Sequence, residues 1–277
     1  MTTIATNNRK TKEDNSIGGC QCQDRNRFLS GGPVIMGILN VTPDSFYAPS
    51  RCTVGDLLRQ RACQMALEGA GILDLGACST RPDSTPATES EELQRLLPAL
   101  EVLREALPHM PLSIDTFRRS VAVECVRQFG PLLINDISGG DAALPGMPYV
   151  LTCPDANPQT FFAERIPQLL DAGVEDLYLD PGFGFGKTVD DNYRILSHLE
   201  EFCQYGYPLF VGVSRKSMIQ KLLNITPAES LEGTVILGVI ALQKGTSILR
   251  VHDVLPAVQS VTLLRRLGAL PNPTINK

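Results

Sequence analysis

The chain has 277 residues, 43% of them apolar, and a formal net charge of −5. That length can bury a full core in one large domain or two small ones, and the acidic balance speaks against a nucleic-acid or membrane-surface binder. No apolar run approaches the ~18 residues of a spanning helix and the N-terminus carries no apolar leader, so the expected location is the cytoplasm.

Residues 1–31 are polar and end against Gly31-Gly32, which reads as a disordered extension. Pro33–Leu39 is the first buried strand, with Asn40 to Phe46 as its tip and loop. Val54–Glu68 has helical periodicity and stops at Gly69. Gly71–Leu75 is a second strand, tipped by Gly76 to Pro82, and Thr88–Leu107 a second helix. Pro111–Ile114 ends on Asp115-Thr116; Arg118–Gln128 is helical; Leu132–Ile134 ends on Asn135-Asp136. The stretch 137–147, with three glycines and a proline, leaves room for about one helical turn before a fifth strand, Pro148–Leu151. Pro158–Gly173 is helical, with Pro167 expected to break it. Leu177–Leu179, a helix from about Asp190 to Tyr205, and Pro208–Val213 follow, the last tipped by Ser214 to Ser217. Helical segments fill 217–243, Ser247–Leu249 is the eighth strand with tip Arg250 to Asp253, and Val254–Leu267 is the last helix before a frayed tail at 269–277.

Eight short apolar strands alternating with helices mean parallel pairing, and eight units fit an α/β fold closed as a (β/α)8 TIM barrel over 32–268, with the fourth helix shortened or missing. An open doubly wound sheet is the alternative. The barrel is preferred because nearly every strand ends on a polar residue, and only a barrel brings all those ends to one mouth.

The stretch Leu177–Lys187, LYLDPGFGFGK, is the most informative in the chain. An apolar strand delivers Asp180, Pro181 ends the pairing, and three glycines open a loop that can pass close to a ligand. A phosphate-cradling loop needs Gly where Pro181 stands, and a dinucleotide fingerprint needs wider glycine spacing. The eight cysteines (20, 22, 52, 63, 78, 125, 153 and 203) form no C-x-x-C pair and no zinc-like cluster. Cys20 and Cys22 fall in the polar tail, and most of the others read as small core hydrophobes.

In a barrel, Asn40, Asp115, Asn135, Asp180, Lys216, Arg250 and His252 share the mouth. A carboxylate can accept two adjacent N–H donors of an amino-pyrimidinone edge, and an amide matches a mixed edge. Arg81, Arg250 and His252, with Asn40 nearby, suit an anionic group, and Asn40 suits a hard cation such as Mg2+. Simpler roles compete. Asp115 is a candidate helix cap, Arg215 and Lys216 can pair with nearby acids, His252-Asp253 can be a helix N-terminal pair, and Asp44 can form an Asx turn. His198 reads as solvated and His109 as a loop residue.

Seven motifs, in order, resemble the dihydropteroate synthase family: GILNVTPDSF (37–46), GACSTRP (76–82), SIDT (113–116), INDISGG (134–140), LDPGFGFGK (179–187), VGVSRKSMI (211–219) and RVHDV (250–254). The resemblance implies a barrel enzyme, a transferase of folate biosynthesis. It joins 6-hydroxymethyl-7,8-dihydropterin pyrophosphate to para-aminobenzoate and releases pyrophosphate. It implies that Asp115, Asn135, Asp180 and Lys216 hold the pterin. Asn40, Arg81, Arg250 and His252 would hold the pyrophosphate, with Mg2+ at Asn40. Thr80 is implied as a further substrate contact, and Phe46, Pro82, Phe185 and Ser217 surround the para-aminobenzoate pocket. It also implies a homodimer and a sulfonamide target. Three departures stand out: Ala48 replaces a loop acid, Thr152-Cys153-Pro154-Asp155-Ala156 replaces a Met-His-Met pattern, and the helix between strands four and five is short. They motivate an alternative, a non-catalytic pterin-binding paralogue acting as a regulatory or partner subunit. A pterin-dependent methyltransferase domain on the same barrel is a more remote one.

Overall fold

The structure is a computed structural model that describes residues 28–29, 31–41, 54–77 and 87–270. Eight strands, β1 (Val34–Asn40), β2 (Ile72–Gly76), β3 (Leu112–Asp115), β4 (Leu133–Asp136), β5 (Tyr149–Thr152), β6 (Leu177–Asp180), β7 (Leu209–Val211) and β8 (Thr246–Val251), pair in parallel and in sequence order, and β8 closes on β1. The expected barrel is therefore present and the open sheet is excluded.

Seven of the eight strands reach further toward their tips than the sequence suggested, and the four entered by a proline start one residue late. Pro33, Pro111, Pro148 and Pro208 have no N–H to donate to a ladder, so pairing starts one residue later. The carbonyls of Pro111, Pro148 and Pro208 still accept from Leu73, Ile134 and Leu179 at 2.9–3.1 Å. At the other end the polar tips stay in register: Gly76 lies beside Asp115, Asp115 beside Asn135, and Thr152 beside Asp180. The exception is β7, which keeps three residues and carries a register irregularity against β8.

Alternation along the strands separates two packing zones. Outward residues meet the helices in the main core. Inward ones, Met36, Ile72, Leu133, Val150, Tyr178, Phe210 and Ile248, fill the barrel floor and are all buried. Two residues further along, the inward positions become Asp74, Ser113, Asn135, Thr152, Asp180 and Arg250. The barrel is thus dry at the bottom and polar at the top. Phe28 and Leu29 close the floor, with the Phe28 ring 6.3 Å from that of Tyr178. The rest of the expected extension, residues 1–27 and 30, lies outside the described residues, as does 271–277; Ala269 and Leu270 pack on the core.

The helices are α1 (Val54–Glu68), α2 (Glu89–Ala106), α3 (Arg119–Phe129), α4 (Pro158–Asp171), α5 (Val189–Ser197), α6 (Ser217–Leu223), α7 (Leu231–Gln243) and α8 (Val254–Arg266). No helix joins β4 to β5, as expected. Residues 137–148 instead wrap around the Asp136 carboxylate, which accepts from Ser138 N (2.6 Å), Ser138 Oγ (2.7 Å), Ala142 N (3.1 Å) and the Tyr149 hydroxyl. Arg119 and Arg165 hold the loop from outside through the Ala143 and Gly139 carbonyls, and Ala142, Ala143 and Leu144 fill the place of a helix face.

Two expectations are corrected. Pro167 does not break its helix: α4 runs through it, because Phe162, Ile166 and Leu169 are buried along one face and outweigh the lost backbone bond, a cost of about 3 kcal/mol. The helix expected over 190–205 stops at Ser197, and a 3-10 segment, Leu199–Tyr205, replaces its second half. Among the described residues no helix is long and apolar enough to cross a membrane.

Candidate active site

The strand ends converge, and the charged groups among them are in mutual contact. Arg250 on β8 reaches across the barrel. Its Nε donates to Asp74 Oδ2 at 2.6 Å and its Nη2 to Asp115 Oδ2 at 2.7 Å. Asn135 Nδ2 donates to the same Asp74 oxygen at 3.1 Å. Strands β2, β3, β4 and β8 are therefore tied together by one buried polar network. Arg250 Nη1 takes no partner among the described residues and stays available to a ligand.

Asp180, at the end of β6, accepts from Gly182 N at 2.8 Å and from Thr152 Oγ1 at 3.4 Å. Those two bonds leave lone pairs for two further donors. The loop behind it is fixed by steric exclusion: a side chain on Gly182 would put Cβ 2.0 Å from the Cys153 carbonyl oxygen, and its φ of +75° is a glycine conformation. Lys187 locks the same two loops by donating to the carbonyls of Cys153 (3.1 Å) and Phe185 (3.0 Å). The two phenylalanines then part: Phe183 is buried as an anchor, while Phe185 stands half-buried with Lys216 Nζ 4.5 Å from its ring centroid.

Lys216 owes its aim to the preceding residue. Arg215 adopts a φ of +50°, and its side chain is clamped in a bidentate pair with Asp253 (2.9 and 3.1 Å) and on the carbonyls of Pro227 and Ala228. His252 lies half-buried beside Ser214, whose Oγ accepts from the His252 backbone N–H at 3.2 Å and sits 3.0 Å from Nδ1. This arrangement suits the tautomer in which the Ser214 hydroxyl donates to Nδ1 and Nε2 carries the proton.

The electrostatics follow from burial. Burial pushes the Asp115 carboxyl up to about 6; Arg250 pulls it down and Asp74 pushes it further up. Burial raises Asp180 as well, partly offset by the Gly182 bond and by Lys216. Lys216 falls to about 8 through burial and the nearby Arg250. His252 falls to about 4 for the same two reasons and is neutral near pH 7. Burial works against the Arg250 charge, but Asp74 and Asp115 outweigh it.

Of the residues singled out in the sequence, Asp115, Asn135, Asp180, Lys216, Phe185, Arg250 and His252 are brought together. Asn40 is exposed at the tip of β1, beside Gly76; a Cβ on Gly76 would come 3.3 Å from Asn40 Oδ1 and 3.8 Å from Asp115. Ser217 is exposed at the start of α6. Phe46, Thr80, Arg81 and Pro82 lie outside the described residues, as do Asp44, Ala48, Cys20, Cys22, Cys52 and Cys78. The simpler roles divide. Asp115 caps no helix: α3 starts without a side-chain cap, and Asp115 pairs with Arg250 instead. Arg215 does pair with an acid, as one reading held, and His198 and His109 are exposed. Cys125 and Cys153 are buried thiols raised to about 12, inert by that measure. The residue that sequence reasoning missed is Asp74. Its signal was a lone carboxylate inside the five-residue strand ILDLG, at an inward position.

This barrel, with its polar mouth over an apolar floor, matches the model of the family described as "Pterin binding enzyme" over residues 36–252, and the chain belongs to that family. Among its relatives, the dihydropteroate synthase of Escherichia coli K12 is 38% identical over 258 residues, covering 84% of this chain and 90% of its own. The Xanthomonas albilineans dihydropteroate synthase, solved with 4-aminobenzoic acid, is 35% identical with a TM-score of 0.79, over 87% of this chain and 94% of that one. The Yersinia pestis enzyme, solved as a sulfonamide drug complex, is 36% identical with a TM-score of 0.76, over 86% and 95%.

Proposed function

We propose that the chain is a dihydropteroate synthase, a transferase of folate biosynthesis that condenses 6-hydroxymethyl-7,8-dihydropterin pyrophosphate with para-aminobenzoate. The observation that carries this reading is the single network of Asp74, Asp115, Asn135 and Arg250, with Asp180 and Lys216 in the same mouth. Asp180 accepts two N–H donors from the amino-pyrimidinone edge, Asn135 reads its mixed donor and acceptor face, and Asp115 and Lys216 complete the ring contacts. Arg250 bridges the two ends of the substrate: two nitrogens stay on the acids beside the ring, and Nη1 meets the pyrophosphate. Neutral His252 adds its Nε2–H, Arg81 belongs to the same end by resemblance, and Thr80 is a further substrate contact. Phe185, with Phe46, Pro82 and Ser217, flanks the para-aminobenzoate.

In the reaction the aniline lone pair forms a bond to the pterin methylene as the C–O bond to pyrophosphate breaks, and the bonding pair leaves on the pyrophosphate oxygen. The pterin ring spreads the positive charge that develops at the methylene. The new secondary amine sheds its proton to the departing anion or to water, so no strong base is required. Arg250 and His252 stabilise the charge on the leaving group, a contribution of several kcal/mol.

The site fits Mg2+ bound through substrate. Asn40 offers an uncharged oxygen beside the gap left by Gly76, and among the described residues no group of three or more His, Cys, Asp and Glu could hold a metal. Asn40 would hold the ion, whose chemistry is to neutralise pyrophosphate charge. The same reading makes the protein a cytoplasmic homodimer and a sulfonamide target. The test is pyrophosphate release from both substrates with Mg2+; no release at high enzyme concentration, with pterin still bound, would favour the non-catalytic paralogue instead.

A further inference from the structure

Asp74 is fully buried, yet it sits at the centre of the network rather than among the groups expected to touch substrate. One of its oxygens carries two bonds, from Arg250 Nε and Asn135 Nδ2, while the other, Oδ1, has no hydrogen-bond partner among the described residues. Ser113, its neighbour in register on β3, is buried and likewise unpartnered at Oγ. A carboxylate left half-unsatisfied in a barrel core is costly, and replacing it with an apolar residue of similar size would often be neutral or better for stability. Packing therefore does not account for it; its two bonds do.

Resting on the pterin-transferase reading, we propose that Asp74 is the positioning residue for both ends of the substrate: it orients the Asn135 amide toward the pterin edge and holds the Arg250 guanidinium between ring and pyrophosphate. The geometry gives each half a cause. An amide can rotate by half a turn at little cost, exchanging its oxygen and nitrogen. Asp74 accepts only, so it binds Nδ2 and leaves Asn135 Oδ1 turned to the mouth as an acceptor. A flipped Asn135 would set oxygen against oxygen. The guanidinium is planar, so fixing Nε on Asp74 and Nη2 on Asp115 fixes its plane and the direction of Nη1.

A double-mutant cycle tests this, with 6-hydroxymethylpterin as the binding probe and pyrophosphate release as the kinetic one. Asn135→Ala should weaken pterin binding about tenfold in the wild-type background and less than about threefold in Asp74→Ala, because the amide is already unaligned there. Asp74→Ala should raise the KM for pterin pyrophosphate about tenfold and leave the KM for para-aminobenzoate unchanged. Asp74→Asn keeps one acceptor oxygen but loses the charge that holds Arg250, and should weaken pterin binding about threefold, less than Asp74→Ala. That variant, which keeps the side-chain volume, carries the test alone if Asp74→Ala does not fold: it must show a selective rise in the pterin-side KM. Additive losses in the cycle, or equal rises in both KM values, would overturn the inference. A wild type that binds pterin but releases no pyrophosphate would overturn the transferase reading and leave the binding cycle to judge Asp74. A wild type that binds no pterin overturns both.

Discussion

The acids and bases of the mouth divide by what burial does to them. Asp115 has a pKa of about 6 and Lys216 of about 8, so both are charged only between those values. Pterin affinity should therefore follow a bell, rising as pH passes 6 and falling as it passes 8. His252, at about 4, is neutral throughout and contributes to neither limb. Titrating affinity for a pterin without phosphates isolates these groups, and Asp115→Asn should remove the Asp115 share of the acid limb, leaving that of Asp180, whose carboxyl burial also raises. The same shifts act on stability with signs that can be checked. Folded Asp115 holds its proton more tightly than the unfolded chain, so its contribution falls as pH rises from about 4 to 6. Folded Lys216 releases its proton more readily, so its contribution rises between about 8 and 10. Asp180 has a direct test as well. Asp180→Asn puts an N–H where a pterin N–H must be accepted, and should cost about 1–3 kcal/mol of pterin binding by calorimetry. Unchanged affinity would remove Asp180 from the ring contacts.

The elements show which parts of this were legible beforehand. The tips were readable because a charged or amide residue at the end of a four-residue strand is improbable as packing: Asp115 and Asp180 end theirs, and Asn135 is the last but one of its strand. Asp74 hid inside its strand because alternation alone does not say which face of a doubly buried strand meets the barrel interior. The prolines misled in two ways: they marked strand entrances as strand residues, and Pro167 as a helix end that packing overrides. The split at His198 depended on tertiary packing that no local pattern records. The Gly-rich loop after β6 was legible in kind, though its cause was not. The glycines answer to the Cys153–Asp155 backbone more than to a phosphate. Gly182→Ala should therefore destabilise the fold by about 2–5 kcal/mol, from the clash with the Cys153 carbonyl and the positive φ together. Denaturant unfolding would measure it, and a loss below about 1 kcal/mol would mean that the β5 and β6 tips move apart easily.

At the scale of the whole molecule, one helix does not fit a solitary barrel. Helix α7, LEGTVILGVIALQ, carries a single charged residue, Glu232, and is apolar on nearly every face. A helix of that kind is normally buried all round. Here one side packs on the barrel through Leu237, Ala241 and Leu242, while Ile236 is 60% exposed. Beside it on α6, Leu222 and Leu223 are 59% and 54% exposed, and the two helices touch where Gly233 meets Ile219. This is the surface on which the proposed homodimer would form. Every described group of the mouth, by contrast, comes from a strand or loop of a single closed barrel. The two features should therefore separate experimentally. Ile236→Glu places a charge in the apolar face and should convert the dimer to monomer by sedimentation, while pterin affinity stays as in the wild type. If the variant sediments like the wild type, the pairing face lies elsewhere. If it turns monomeric and loses pterin binding too, the link runs through α7 itself, whose Thr234 Oγ1 accepts from the Arg215 backbone N–H at 2.9 Å and so supports the strained turn that aims Lys216 into the mouth.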